Sequence, residues 1–118
     1  MAKVNLDPLT NIDGLQAGSL VDVDSGLVLA SVGAGIDIEL FSAKAVEVYK
    51  KVNIAEELGL NEEAEDILIS YSRSYYLIRP LRGHKSEYFI FILVDRQKAN
   101  LAMARHDLKK FEESLDFS

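Results

Sequence analysis

The sequence predicts an α/β (α+β) protein whose antiparallel sheet of five strands is covered by helices. Two observations lead to this fold class. Five short apolar segments are separated mostly by tight polar turns, which favours hairpins over parallel crossovers. Three further segments repeat their apolar residues every three or four positions, which is typical of amphipathic helices. The predicted order is α-β-β-α-β-β-β-α within one domain, residues 1–118.

The strands are predicted from apolar runs that end at turn-forming residues. Leu15–Asp22 and Leu27–Val32 form a hairpin, because Asp24, Ser25 and Gly26 between them favour a turn. The other three strands are Asp66–Ser72, Tyr75–Leu81 and Glu87–Asp95. The last is apolar at every position from Tyr88 to Val94, so it is expected at the centre of the sheet. Pro80 is expected at a strand end or a bulge, because proline lacks a ladder donor.

Helical spacing predicts three helices. A short, weak one covers residues 3–13, and a long one covers residues 37–58, with Gly59 as its C-terminal cap. The last covers residues 96–116, where Asp95 or Asn100 can cap the start. The long helix has an apolar face at Ile38, Phe41, Ala45, Val48, Tyr49 and Val52. The final helix has its own at Leu101, Ala104, Leu108, Phe111 and Leu115.

The long helix also carries apolar residues on its other side. Leu40, Ala43, Ile54 and Leu58 lie there among charged residues. They are either scattered surface residues, which are common, or one side of a contact with a partner. The charges have two interpretations as well: a solvated face in which Glu47 pairs with Lys50, or the rim of an interface.

Composition excludes several chemistries. There is no cysteine, which rules out disulfides, iron–sulfur clusters and a thiol nucleophile. The net charge of −6 disfavours nucleic acid and anionic membranes as partners. No apolar run is long enough to span a bilayer, and no secretory signal is evident, so a cytoplasmic location is expected. His84 and His106 stand alone, so no catalytic, cofactor-binding or metal site is predicted, and the chain is not expected to be an enzyme.

Three segments, in order, resemble roadblock/dynein light chain domains. The first is the hairpin from Gly14 to Ser31, with an apolar strand, an Asp-rich turn and the strand Val28-Leu29-Ala30-Ser31. The second is the Arg-Pro strand Tyr76–Leu81. The third is Phe91–Asp95 followed by Ala99-Asn100-Leu101-Ala102 and Arg105. The turn Asp24-Ser25-Gly26 departs from the commoner Asp-Gly form and lengthens the hairpin.

This resemblance implies more than the residues alone do. It places the long helix on one face of the sheet and the two terminal helices on the other. It implies a homodimer built from the long helix and the third strand, with the interface residues Ile67, Leu68, Ile69, Tyr71, Leu40 and Ala43. It also implies binding to small GTPases, to motor complexes or to scaffolds. For a Ras-like small GTPase, the exposed side of the long helix offers Glu39, Lys44, Glu47, Lys50 and Lys51.

Two functions follow as hypotheses. The first is a non-catalytic protein-interaction module that acts as a homodimeric regulator or scaffold of a Ras-like small GTPase. The alternative is a small-ligand sensor or adaptor domain of the profilin, PAS or longin type, since a similar sheet can hold a pocket. The apolar strands show no cluster of polar residues that would line such a pocket, whereas the third strand and Leu40 offer apolar surface to a protein partner.

Overall fold

The computed structural model describes residues 4–52, 57–81 and 87–115. A 3-10 helix at Asp7–Asn11 precedes the first two strands, and a long helix then leads to three more strands and a final helix. The strands are β1 (Leu15–Asp22), β2 (Val28–Gly33), β3 (Ile67–Ser70), β4 (Ser74–Leu81) and β5 (Tyr88–Asp95). The helices are α1 (Ile38–Lys51) and α2 (Leu101–Ser114).

All strand pairs are antiparallel, and the sheet order is β2-β1-β5-β4-β3. The predicted fold class and the central place of β5 are therefore confirmed. The connection that contains α1 joins β2 at one edge of the sheet to β3 at the other. Both ends of that connection are thus edge strands.

Each face of the sheet carries its own core. On one face, α1 packs on β1, β4 and β5 through a cluster that includes Val21, Ala45, Val46, Phe89 and Phe91. On the other face, the 3-10 helix and α2 pack on the same strands through a cluster of Leu6, Leu9, Ile12, Leu20, Leu77, Leu81, Ile90, Ile92, Val94, Ala104, Leu108 and Phe111. The implied placement of the helices is confirmed.

Local sequence signals explain where several elements begin and turn. The side chain of Asn100 accepts a hydrogen bond from the backbone N–H of Met103 at 3.1 Å and caps the start of α2. In the β1–β2 hairpin, Gly26 has a φ of 72°, a conformation that suits glycine, and its N–H donates to the carbonyl of Asp22 at 2.8 Å. The hairpin is therefore built by the Asp-Ser-Gly turn that the sequence predicts.

The bounds of the helices differ from the prediction. The first helix is one short 3-10 segment, Asp7–Asn11, rather than a helix over residues 3–13. It starts next to Pro8, because proline is tolerated only in the first turn of a helix. The long helix α1 ends at Lys51 rather than continuing to residue 58, and Val52 leaves the helical conformation. Gly59 has a φ of 72° in a turn after Glu57, while Ile54 lies outside the described residues. The final helix begins at Leu101, since Asp95 and the residues after it form a turn.

Of the two predicted positions for Pro80, the strand end is the observed one: it is the next-to-last residue of β4 and pairs with Phe89 of β5. The missing donor is tolerated because β3 is short. The pairing of β3 with β4 stops at Ile67 and Ile78, before it reaches Pro80.

Candidate functional site

The two edges of the sheet differ in how well they could accept another strand. Leu20 and Val21 are neighbours in β1, but they pair with Ala30 and Val28 of β2, so Leu29 of β2 has no opposite residue. Bulges of this kind protect an edge from pairing. In β3 the pairing with β4 is regular from Ile67 to Ser70, and the strand has neither a charge nor a proline. The third strand is therefore the edge with the greater capacity to pair.

The side chains of β3 divide between the two faces of the sheet. Ile67 packs on the core beneath α1, and Ile69 points to the same face. Leu68 points to the opposite face and packs against the core beneath α2. The six implied interface residues thus do not form one surface, because Leu68 already belongs to the packing of its own chain.

An aromatic chain links the edge strand to α1. The ring of Tyr71, just after β3 and 53% exposed, lies 4.7 Å from the ring of Tyr76. Tyr76 meets Phe41 of α1 edge-to-face at 5.4 Å, and Phe41 stacks on Phe91 at 3.8 Å. Leu40, the residue before Phe41 on α1, is 57% exposed. Tyr71, Tyr76, Phe41 and Leu40 form a partly exposed apolar strip, which we call the edge strip.

Two polar contacts fix the rotation of α1 above the sheet. The hydroxyl groups of Ser42 and Ser19 in β1 share a hydrogen bond of 2.9 Å, and both residues are fully buried. Asp37 caps the helix by accepting from the N–H of Leu40 at 3.1 Å. With Ser42 held over β1 and Phe41 over β4 and β5, the direction in which every other α1 side chain points is set.

The outer face of α1 carries the remaining candidate residues. Leu40, Ala43 and Glu47 follow at steps of three and four residues and run along the crest, away from the sheet. By helix geometry, Lys44 and Lys51 flank this row on the side that carries Phe41, and Glu39 and Lys50 flank it on the other side. All seven are exposed.

The charges on this face are only weakly held. Lys44 pairs with Glu47 at 3.6 Å, three residues apart, and the two side chains are 69% and 65% exposed, respectively. A pair this exposed contributes a few tenths of a kcal/mol at most. These side chains can therefore change partners at little cost, as the rim of an interface requires.

A cleft lies at the C-terminal end of α1, on the same face of the sheet. Its volume is about 700 Å³, and its apolar wall includes Tyr49, Val52, Leu60, Ile67 and Pro80. Its polar residues are Lys50, Asn61, Glu62, Glu63 and Glu87. They come from α1, from the segment that leads to β3 and from the residue before β5, rather than from the strands. The sequence did not indicate this cleft because it is formed by segments distant along the chain.

Metal-binding groups and histidines were the candidates for chemistry in this chain. They contain no group of three or more His, Asp or Glu side chains placed to hold a metal ion. His106 is exposed on α2, and His84 lies outside the described residues. Neither described helix combines the length and the apolar character that a bilayer crossing needs.

Sequence reasoning missed the buried serine pair. Ser42 occupies a core position, three, four and seven residues before Ala45, Val46 and Tyr49, but a serine within such a pattern does not reveal a buried partner. Only the pairing of β1 with β5 places Ser19 on the same face as Phe91 and beneath α1. The described part of the chain leaves no buried side-chain nitrogen or oxygen without a hydrogen bond.

Comparisons with known proteins identify the fold. No protein-family model and no curated protein matches the sequence. Among solved structures, a roadblock/LC7 domain from Streptomyces avermitilis superposes with a TM-score of 0.78 at 15% identity, covering 91% of this chain and 87% of that one. MglB of Myxococcus xanthus gives 0.76 at 19% identity, over 91% and 85% of the two chains. A structure described as MglB with a tetrameric arrangement gives 0.79 at 16% identity, over 93% and 81%. The resemblance to roadblock/dynein light chain domains is confirmed at the level of the fold.

Proposed function

We propose that this chain is a non-catalytic interaction module, a homodimer that regulates or scaffolds a Ras-like small GTPase in the cytoplasm. The roadblock fold supports a role in GTPase regulation, because the resemblance to roadblock domains implies GTPase binding. The observation that carries the proposal is β3, an uncharged and regularly paired strand at an open sheet edge, continued by the edge strip onto α1.

The homodimer is proposed to form by antiparallel pairing of β3 with its copy. Such pairing joins two sheets into one and satisfies backbone groups that a lone edge would leave to water. A two-fold axis at β3 brings the edge strips of both copies to the same seam. Burial of apolar side chains such as Ile69 and Tyr71 supplies the free energy of association.

The GTPase is proposed to bind across the outer faces of the paired α1 helices. The crest of each helix offers Leu40 and Ala43 as apolar area, while Glu39, Lys44, Glu47, Lys50 and Lys51 surround it. Rim charges of this kind steer encounter and set the register of a complex more than they add affinity. The face therefore suits a charged globular partner.

Charge reversal tests this surface. The double variant Glu47→Lys/Lys51→Glu keeps the net charge and is expected to slow association with the GTPase about tenfold at low salt. The control is Lys109→Glu/Glu113→Lys on the exposed side of α2, which has the same four-residue spacing and lies on the other face of the sheet.

The probe is the Ras-like GTPase encoded nearest to this chain, loaded with GDP or with a non-hydrolysable GTP analogue, and binding is followed by stopped-flow fluorescence. Sedimentation of both variants verifies that the dimer is retained. Equal association rates for the wild type and both variants at low salt would place the binding site elsewhere. Single-turnover hydrolysis of GTP then separates a regulator from a scaffold.

The second candidate function, a small-ligand sensor, is favoured by the cleft at the end of α1. Its volume of about 700 Å³ lies in the usual range for ligand pockets, and it combines an apolar wall that includes Tyr49 with a few charged residues. Native mass spectrometry of protein purified without denaturation tests this function. A retained small molecule that disappears in Ile67→Trp, which would narrow the cleft, would favour the sensor over the GTPase regulator.

A further inference from the structure

Two arginines are brought together just beyond the C-terminal end of β3. The hairpin from β3 to β4 contains Arg73, and the turn after β5 contains Arg96. The N–H of Arg96 donates to the carbonyl of Arg73 at 3.0 Å, which ties the two turns together. Both arginines are exposed. We call this pair the basic corner.

The guanidinium of Arg96 is held in place before any partner arrives. It donates to the carbonyl of Tyr71 at 2.9 Å and lies 5.0 Å from the centre of the Tyr75 ring. A cation on an aromatic face and one hydrogen bond restrict the rotamers of this long side chain. Less conformational entropy is then lost when it meets an anion.

The other end of β3 is approached by an acidic segment. Residues 61–66 read Asn-Glu-Glu-Ala-Glu-Asp, with four carboxylates in six residues. Asp66 is bound by Arg105 of α2, whose Nε lies 2.8 Å from its Oδ2. Glu62 and Glu65 are exposed. One end of the edge strand is thus basic and the other acidic.

Antiparallel pairing of β3 with its copy brings these opposite ends together. A two-fold axis perpendicular to the sheet pairs residues that face the same side, so it passes through Leu68 or Ile69 rather than between them. Continued outward with the axis at Ile69, Arg73 lies opposite residue 65 of the partner, which is a glutamate. With the axis at Leu68, it lies opposite residue 63, which is also a glutamate. The same contact occurs twice, because the symmetry repeats it at the other end of the seam.

We infer that the basic corner of each copy, Arg73 and Arg96, binds the acidic segment of the other and restricts the register of the dimer. The inference rests on the proposed function, since it requires the β3 seam, and it adds the electrostatic specificity of that seam. An apolar four-residue strand by itself specifies register weakly. A slip that moves the axis beyond Leu68 and Ile69 sets Arg73 opposite Asn61 or Ile67 instead of a glutamate, so the charges favour these two alignments and oppose parallel pairing.

Reciprocal charge reversal tests the inference by analytical ultracentrifugation at low salt. Arg73→Glu/Arg96→Glu puts acid against acid at both ends of the seam, and Glu62→Lys/Glu65→Lys puts base against base. Each variant alone is expected to dimerise with a Kd at least about tenfold higher than the wild type. An equimolar mixture is expected to recover the wild-type Kd as a heterodimer, since both ends are again complementary.

Two controls separate charge from misfolding. Lys109→Glu/Lys110→Glu on α2 changes the net charge by the same amount as the arginine reversal, and it should leave the dimer unchanged. Arg73→Glu alone spares the contacts of Arg96 with Tyr71 and Tyr75, and it should still weaken the dimer. Recovery in the mixture itself requires that both variants fold.

The outcomes distinguish this inference from the proposed function. A wild-type dimer whose Kd is unchanged by both reversals, or a mixture that fails to recover, overturns the contact between the corner and the segment and leaves the β3 dimer standing. A wild-type chain that is monomeric at micromolar concentration overturns the dimer and the contact together.

Discussion

At the scale of single residues, Gly33 shows how a backbone conformation can hold an edge of the sheet in place. It ends β2 with a φ of 96°, opposite Ala17 of β1. A Cβ at this position would lie 2.6 Å from the Cα of Ala17 and would also strike the carbonyl of Gln16. Neither neighbour is the flexible end of a side chain, so the conformation and the close approach both require glycine.

Gly33→Ala is therefore expected to lower the free energy of unfolding by about 3 kcal/mol or more, measured by urea denaturation. Gly26→Ala is the matched control. Gly26 also has a positive φ, 72°, but nothing lies within 4 Å of its would-be Cβ. Its replacement should cost about 1–2 kcal/mol from the left-handed conformation alone. Equal losses for the two variants would show that the close approach is relieved by movement of β1.

Arg79 stabilises the fold through a largely buried ion pair. Its Nε donates to the Oε1 of Glu112 at 2.8 Å, and the side chains are only 19% and 17% exposed. The pair ties the end of α2 to β4, so removing one partner leaves a poorly solvated charge behind.

Arg79→Met should cost about 2–3 kcal/mol of unfolding free energy in the same denaturation assay. Lys44→Met removes a cation from the exposed pair on α1 and should cost less than about 0.5 kcal/mol. If both variants lose less than about 0.5 kcal/mol of unfolding free energy, Glu112 is well solvated without Arg79.

At the scale of elements, the strands were predictable and the orientation of some side chains was not. The bounds of β1 match the prediction, and β5 lies at the centre because its sequence is apolar at every position. In β3, a continuous apolar sequence does not show which side chain points to which face of the sheet. Ile67, Leu68 and Ile69 are all apolar, so only the pairing with β4 shows that Leu68 belongs to the other face.

The end of α1 is a second feature that the sequence did not predict. Apolar residues continue at helical spacing to Leu58, and no proline interrupts them, yet the helix ends at Lys51. Helix propensity is a weak signal when tertiary contacts decide the last turn. The candidate site was partly predictable for a related reason. The exposure of Leu40 could be predicted from its position on the helix. The edge strip could not be predicted, because it depends on the contact of Tyr71 with Tyr76, and the β3–β4 hairpin determines that contact.

The division of β3 between two faces gives a prediction for adjacent residues. Ile69 is half-buried and, within the described residues, belongs to neither core cluster. Ile69→Lys should therefore dissociate the dimer while changing the stability of the monomer by less than about 1 kcal/mol. Leu68→Lys should instead lower the stability of each chain, because a charge enters the core beneath α2.

Sedimentation velocity and urea denaturation on both variants check this contrast. If Leu68→Lys dissociates a dimer whose chains keep their stability, the seam involves the face beneath α2. If Ile69→Lys unfolds the chain, this residue belongs to the core of its own chain.

At the scale of the whole molecule, the proposed dimer makes folding and association one equilibrium. Each chain places β3 at the sheet edge, with Tyr71 and Leu40 partly exposed beside it. Pairing covers this surface in the native state only, since unfolded chains have no edge strand to pair. Anything that binds the native state and not the unfolded one raises the melting temperature by mass action.

The melting temperature of the wild type should therefore rise with protein concentration. A tenfold increase adds about 1.4 kcal/mol per mole of dimer, or about half that per chain, which corresponds to roughly 2–4 °C for a chain of this size. Scanning calorimetry at protein concentrations from the micromolar to the millimolar range measures the slope. Ile69→Lys should melt at one temperature throughout, and the wild type should approach it on dilution. If both proteins melt independently of concentration while the wild type sediments as a monomer, β3 remains an open edge and its regular register serves only its pairing with β4.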